Sequence, residues 1–148
     1  MNEQLTALKF TGQAIFEKTY GWYEFRQNNS GGSFDIDDDV TVHVLIQAAS
    51  TREANTKAQD IGIYFNGCWY GRDCRCCGDR WYEADDAMES FTTYNWRNRF
   101  DPTEHANVRE YAQAHADADM WAKDGKPSVI LYYADGTVER FYTTKKGN

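Results

Sequence analysis

Val129-Ile130-Leu131-Tyr132-Tyr133-Ala134-Asp135-Gly136-Thr137-Val138-Glu139-Arg140-Phe141-Tyr142 reads as a β-hairpin, two runs rich in β-branched and aromatic residues flanking Asp135-Gly136. Glycine tolerates the positive φ that tight reversals between antiparallel strands demand, so this pair sets the turn. Upstream, Asp101-Pro102-Thr103-Glu104 has the signature of a helix start, with Asp101 as cap, Pro102 at the first helical position and Glu104 three residues after the cap. Val108, Tyr111, His115, Ala118 and Ala122 follow at helical spacing, and Asp124-Gly125 with Pro127 predicts the stop.

A second helix is announced by Ser50-Thr51-Arg52-Glu53, in which the Ser50 hydroxyl and Glu53 carboxylate reciprocally satisfy backbone donors. Ala54, Ala58, Ile61 and Phe65 form its apolar stripe, and Asn66-Gly67 ends it. Before it, Val40, Val42, Val44 and Ile46 alternate with Thr41, His43, Leu45 and Gln47, the period of a half-buried strand with His43 on the less apolar face. The aromatic residues of 14–25, interrupted by Gly21, predict one bent strand or two short ones, closed by the polar run 28–33. Residues 82–100 show no clear period, with one short helix expected over 84–91, and the polar tail 143–148 is expected to fray.

The order is strand, strand, helix, cysteine loop, helix, strand, strand. It predicts a single α+β domain over 1–148: a four-stranded, mainly antiparallel sheet with two helices on one face and a cysteine-rich loop. At 148 residues and 41% hydrophobic, the chain has material for one core. A net charge of -7 argues against nucleic acid as partner, because phosphate-backbone binding rests on a basic surface. The N-terminus has neither a basic nor an apolar signal region, and no run approaches the ~18 apolar residues of a membrane span. A soluble, cytoplasmic protein is therefore expected.

All 4 cysteines lie in Gly67-Cys68-Trp69-Tyr70-Gly71-Arg72-Asp73-Cys74-Arg75-Cys76-Cys77-Gly78-Asp79-Arg80-Trp81. In a reducing compartment such clustering points to metal or free thiols before structural disulfides. Cys74 and Cys77 with Gly78 form a C-x-x-C-G knuckle, where two thiolates converge and glycine lets the backbone turn beneath them. Cys68 is the candidate third zinc ligand and Cys76 is expected to point away; His43, His105, His115, Asp73 or Asp79 would have to supply the fourth. Reduced, loop-packed thiols, a disulfide and a metal shared between copies stand beside the zinc reading. Cys74 and Arg80 also have the Cys-x5-Arg spacing of thiol phosphatases, in which the thiolate attacks a phosphate held by the guanidinium. Asp73 beside the thiol is expected to raise its pKa, Trp81 stands where those phosphatases carry a hydroxyl residue, and no clear strand leads into Cys74, so no enzyme is expected.

Asp35-Ile36-Asp37-Asp38-Asp39 opens like a calcium loop, but Val40 replaces the required glycine and Ile46 the bidentate glutamate, leaving a solvated acidic turn. His115 lies in an apolar stripe and reads as a boundary histidine despite Asp119 four residues on. The aromatics Trp69, Tyr70, Trp81 and Tyr82 bracket a locally basic loop carrying Arg72, Arg75 and Arg80. Such rings stack on a nucleobase or anchor a protein interface; the other reading is that Trp81 and Tyr82 cover the loop as a small satellite core, which stands level with the first for Trp69 and Tyr70 and is the favoured one for Trp81.

Ile61-Gly62-Ile63-Tyr64-Phe65-Asn66-Gly67, Gly71-Arg72-Asp73-Cys74-Arg75-Cys76-Cys77-Gly78-Asp79-Arg80-Trp81 and Tyr132-Tyr133-Ala134-Asp135-Gly136-Thr137-Val138 together resemble a family of small uncharacterised proteins of tailed bacteriophages. The resemblance covers about a third of the chain, carries no activity, and implies an accessory protein in the cytoplasm of an infected bacterium. The expected function is non-enzymatic binding of a host or anti-phage defence component through an acidic and aromatic surface and the cysteine loop, with Trp69, Tyr70, Arg72, Arg75, Arg80 and Trp81 as binding residues. The alternatives are a sponge that sequesters a nucleotide-like signal, a zinc-stabilised virion component using Cys68, Cys74 and Cys77, and a Cys-x5-Arg phosphohydrolase. Homo-oligomerisation is compatible with each.

Overall fold

A computed structural model of the chain describes residues 19–95 and 98–144, excepting the side chains of 95–101. The tail residues 145–148 and the expected strand positions 14–18 lie outside the described residues. In chain order the elements are β1 (Gly21–Arg26), β2 (His43–Ala48), α1 (Thr51–Asp60), β3 (Thr92–Asn95), β4 (Asn98–Glu104), α2 (Val108–Ala118), β5 (Val129–Tyr132) and β6 (Val138–Phe141). One four-stranded sheet has the order β1-β2-β5-β6. Its outer pairs are antiparallel and β2 runs parallel to β5, giving the mainly antiparallel α+β fold.

The helices, expected on one face, pack on opposite faces of this sheet. Val44, Ile46 and Ala48 of β2 join Tyr23 and Phe25 of β1, Ala54 and Ala58 of α1, Ile63 and Trp81 in one core. Leu45, whose side chain points the other way, joins Val108, Tyr111, Ala112 and Ala116 of α2 with Val129, Leu131 and Phe141 in a second. Successive strand residues face opposite sides, so apolar residues on both faces of β2 need two covers. His43 accordingly lies buried beneath α2 instead of on a half-exposed face.

Both helix caps are side-chain built. Ser50 Oγ accepts from the Glu53 amide at 3.1 Å, and Glu53 reaches back to the Ala49 amide at 2.7 Å. The second helix begins six residues later than Asp101 predicts: residues 101–104 belong to β4, whose Thr103 and Glu104 pair with Thr93 and Thr92. Asn107 is the cap, its Oδ1 accepting from the Glu110 amide at 3.0 Å. The helix ends at Ala118, short of Ala122, because Asp119 is extended and turns its carboxylate onto the Trp121 amide. No helix forms over 84–91, which runs as irregular chain into β3. The Asp135-Gly136 turn joins β5 and β6, with Gly136 at φ 93°. Among the described residues, no helix is long and apolar enough to cross a membrane.

Candidate functional site

The cysteine loop leaves α1 and is fastened from beneath. Asp73, its carboxylate fully buried, accepts from the Tyr64 hydroxyl at 2.6 Å and from the Arg80 amide at 2.8 Å, closing the loop across its neck. Asp79 accepts from the Cys68 amide at 2.9 Å, and Asn28 Nδ2 donates to the carbonyls of Cys77 and Asp79. Gly67 sits against Asp73 so closely that a Cβ there would overlap the carboxylate, which explains the glycine.

Arg80 and Trp81, expected on the binding surface, are interior residues. Trp81 is 1% exposed in the α1 core. Arg80 is 8% exposed, and its guanidinium donates to Gln27 Oε1 at 2.9 Å, the Ser33 carbonyl at 2.7 Å, the Ser30 carbonyl at 2.8 Å and the Tyr64 hydroxyl at 3.1 Å. Gln27, Ser30 and Ser33 lie on the segment around the 3-10 turn Ser30–Gly32, so Arg80 ties that segment to the loop. A guanidinium spent on protein acceptors is withdrawn from solvent ligands.

Cys74, Cys76 and Cys77 bring their three sulfur atoms within 4.8 Å of one another, a group that can hold a metal ion. The membership corrects the expected set: the exposed Cys76 joins Cys74 and Cys77, while Cys68 stands outside the group with its thiol on the Cys74 carbonyl at 3.4 Å. The tight turn in which the Cys77 and Gly78 amides both donate to the Cys74 carbonyl, with Gly78 at φ 89°, gathers them. All four thiols are free. Hydrogen bonds from the Cys76 side chain and from the Cys76 and Cys77 amides pull the Cys74 thiol down to about 7, against the expectation that Asp73 would raise it. Asp73 is turned toward Tyr64 and Arg80 instead. Cys76, donating to its neighbours, is pushed up to about 11. Cys68 is raised by desolvation and by Asp79 beside it.

Above this anchored base the loop offers its rings to solvent. Trp69 is 81% exposed and Tyr70 72%, and Tyr82 is exposed at the loop's edge. Arg75 is exposed; Arg72 is exposed as well, but its guanidinium stacks on the Tyr64 ring 3.7 Å from the centroid.

A second polar group lies on the opposite face, under α2. His43 Nε2 donates to Glu24 Oε2 at 2.6 Å, and the Tyr111 hydroxyl donates to the same oxygen. The His115 ring meets those of His43 and Tyr111, each at 4.5 Å between centroids. The His105 ring meets Tyr111 edge-on as well, so all 3 histidines of the chain contact one tyrosine. Burial alone would raise the Glu24 carboxyl, yet the hydrogen bonds from His43 and Tyr111 and the Arg26 charge hold it at about 2. Burial lowers His43 against the pull of Glu24; burial, with the nearby His43 and Arg26, lowers His115 to about 3. Burial and Glu24 push Tyr111 well up. The sequence carried a signal for this group: Glu24, His43 and His115 each stand in a strand or helix otherwise built for packing, and polar residues at core positions have to find one another.

Over residues 20–147 the sequence matches the family described as a domain of unknown function, DUF7296. No curated protein and no solved structure matches the chain.

Proposed function

The chain belongs to the DUF7296 family, and we propose that it is a non-enzymatic binding protein whose cysteine loop presents Trp69 and Tyr70 to a protein partner. The carrying observation is that these two rings are 81% and 72% exposed on a loop whose neck is closed by a buried carboxylate and a buried guanidinium. Large apolar rings held in water gain most by being covered, and a pre-ordered loop loses little freedom when that happens. Arg75 at the rim suits a partner patch that is apolar at its centre and acidic at its edge. Taken with the bacteriophage resemblance, the partner class is a host or anti-phage defence component in the cytoplasm of an infected bacterium.

Zinc is the ion that suits the three thiols. Cys76 Sγ and Cys77 Sγ lie 3.8 Å apart, and zinc–sulfur bonds of about 2.3 Å in a tetrahedron place their sulfurs about 3.8 Å apart. Cys74, Cys76 and Cys77 would hold it as thiolates, and the fourth position would fall to water or to a partner side chain. The phosphohydrolase reading has less support because it calls on Arg80, whose guanidinium is bonded to protein acceptors, and the nucleotide-sponge reading because Arg72, one of the two arginines it calls on, is stacked on Tyr64.

The test is affinity capture from a bacterial host lysate with the wild-type chain and with Trp69→Ala/Tyr70→Ala. A partner recovered by the wild type should bind the double variant at least ~30-fold more weakly, the loss of one strong anchor, while thermal unfolding stays unchanged. Equal capture by both chains, or none by either, rejects the reading.

A further inference from the structure

We propose that Glu24, His43 and His115 form a second metal site, distinct from the cysteine loop, that takes a divalent transition ion of the zinc class through two imidazoles and one carboxylate. Their ligand atoms all lie within 4.8 Å of one another, one contributed by β1, one by β2 and one by α2. Two histidines and a carboxylate are a ligand set that borderline ions favour, and with only three protein ligands at least one coordination position stays open. Nothing in this inference depends on the loop or its partner.

The surroundings are those of a site and not only of a packed core. The Tyr111 hydroxyl donates to Glu24 Oε2 and so orients the carboxylate, the role that hydrogen-bonded neighbours play around metal ligands. His115 is half-buried and lies in the wall of a groove of about 1170 Å³, together with Tyr94, Ala114, Asp119, Lys123 and Tyr142, which gives the group a route to solvent. A cation already bridges two of the three ligands: the exposed Arg26 guanidinium places Nη2 3.4 Å from His115 Nε2 and Nε 3.6 Å from Glu24 Oε2. An arginine on the solvent side can swing away, so it competes with an ion for the same lone pairs. Seating the ion between Glu24 and His43 also displaces the hydrogen bond that joins them.

Calorimetric titration of Cys74→Ser/Cys76→Ser/Cys77→Ser with Zn2+ isolates this site from the loop. One equivalent should bind, His115→Gln in that background should abolish it, and Arg26→Ala should tighten it at least about fivefold, since a like charge near 4 Å is removed. Circular dichroism checks that each variant keeps the native fold. If the triple variant fails to fold, Co2+ spectra of the otherwise wild-type chain serve instead: a component without thiolate charge transfer should appear and be lost in His115→Gln. A folded triple variant that binds no Zn2+, binding that survives His115→Gln, or Co2+ spectra without that component would each overturn the proposal.

Discussion

Arg80 donates to a side-chain amide, two backbone carbonyls and a tyrosine hydroxyl, so protein oxygens replace most of its water. Lysine carries the charge but lacks the planar fork that reaches these acceptors together. Arg80→Lys should therefore destabilise the fold by about 2–4 kcal/mol, the range for breaking up a buried, hydrogen-bonded charge. Urea unfolding measures it, and a loss under 1 kcal/mol would show the network to be dispensable. Spacing alone placed Arg80 over Cys74 as an anion ligand; its burial became visible only once residues 27–33 were folded against the loop. Trp81 is a milder case, because burial was one of its two readings, although the core it joins is the main one between the sheet and α1 and not a small one under the loop.

Helix starts were legible where one local pattern stood alone. Ser50 and Glu53 make the reciprocal cap that their spacing predicts. Around α2 two such patterns stand in tandem, Asp101 to Glu104 and Asn107 to Glu110, and only strand pairing decides between them. Thr103 and Glu104 are taken by β3, which leaves Asn107 to cap. Asn107→Ala should cost about 1 kcal/mol, read as a lower denaturation midpoint, whereas Asp101→Ala should leave helix content unchanged. A capping loss at Asp101 with none at Asn107 would restore the earlier start.

Glu24 on β1, His43 on β2, and Tyr111 and His115 on α2 join a strand pair to the helix that covers it, so their titration acts on the whole domain. His115 is lowered from its ordinary 6.5 to about 3, so on acidification the unfolded chain takes up this proton first. Glu24, lowered from 4.5 to about 2, adds stability present above pH 4.5 and lost as pH falls toward 2. Both effects make stability fall with pH, beginning near 6.5 and steepening below 4.5. His43, also lowered, acts in the same direction. Between pH 7 and 5, His115 alone should remove about 1–2 kcal/mol after allowance for its partial exposure. Urea midpoints in chelator should show that slope, flattened in His115→Gln, and an equal slope in the variant would assign it to other groups.

Local chemistry determined the elements whose signals need no distant partner: the Asp135-Gly136 hairpin, the alternating strand before Ser50, the two helices, and a cysteine knuckle tight enough to hold an ion. Tertiary structure decided which face each helix covers, because β2 is apolar on both sides and periodicity cannot say where the second cover comes from. It also chose Cys76 over Cys68 for the thiol group, since the turn that puts two amides on the Cys74 carbonyl brings the sulfurs of Cys74, Cys76 and Cys77 together. For the Glu24, His43 and His115 cluster the local signal was polar residues at packing positions, which does not say that they meet. Its members are 19 and 72 residues apart along the chain, and only pairing β1 with β2 beneath α2 brings their polar atoms together.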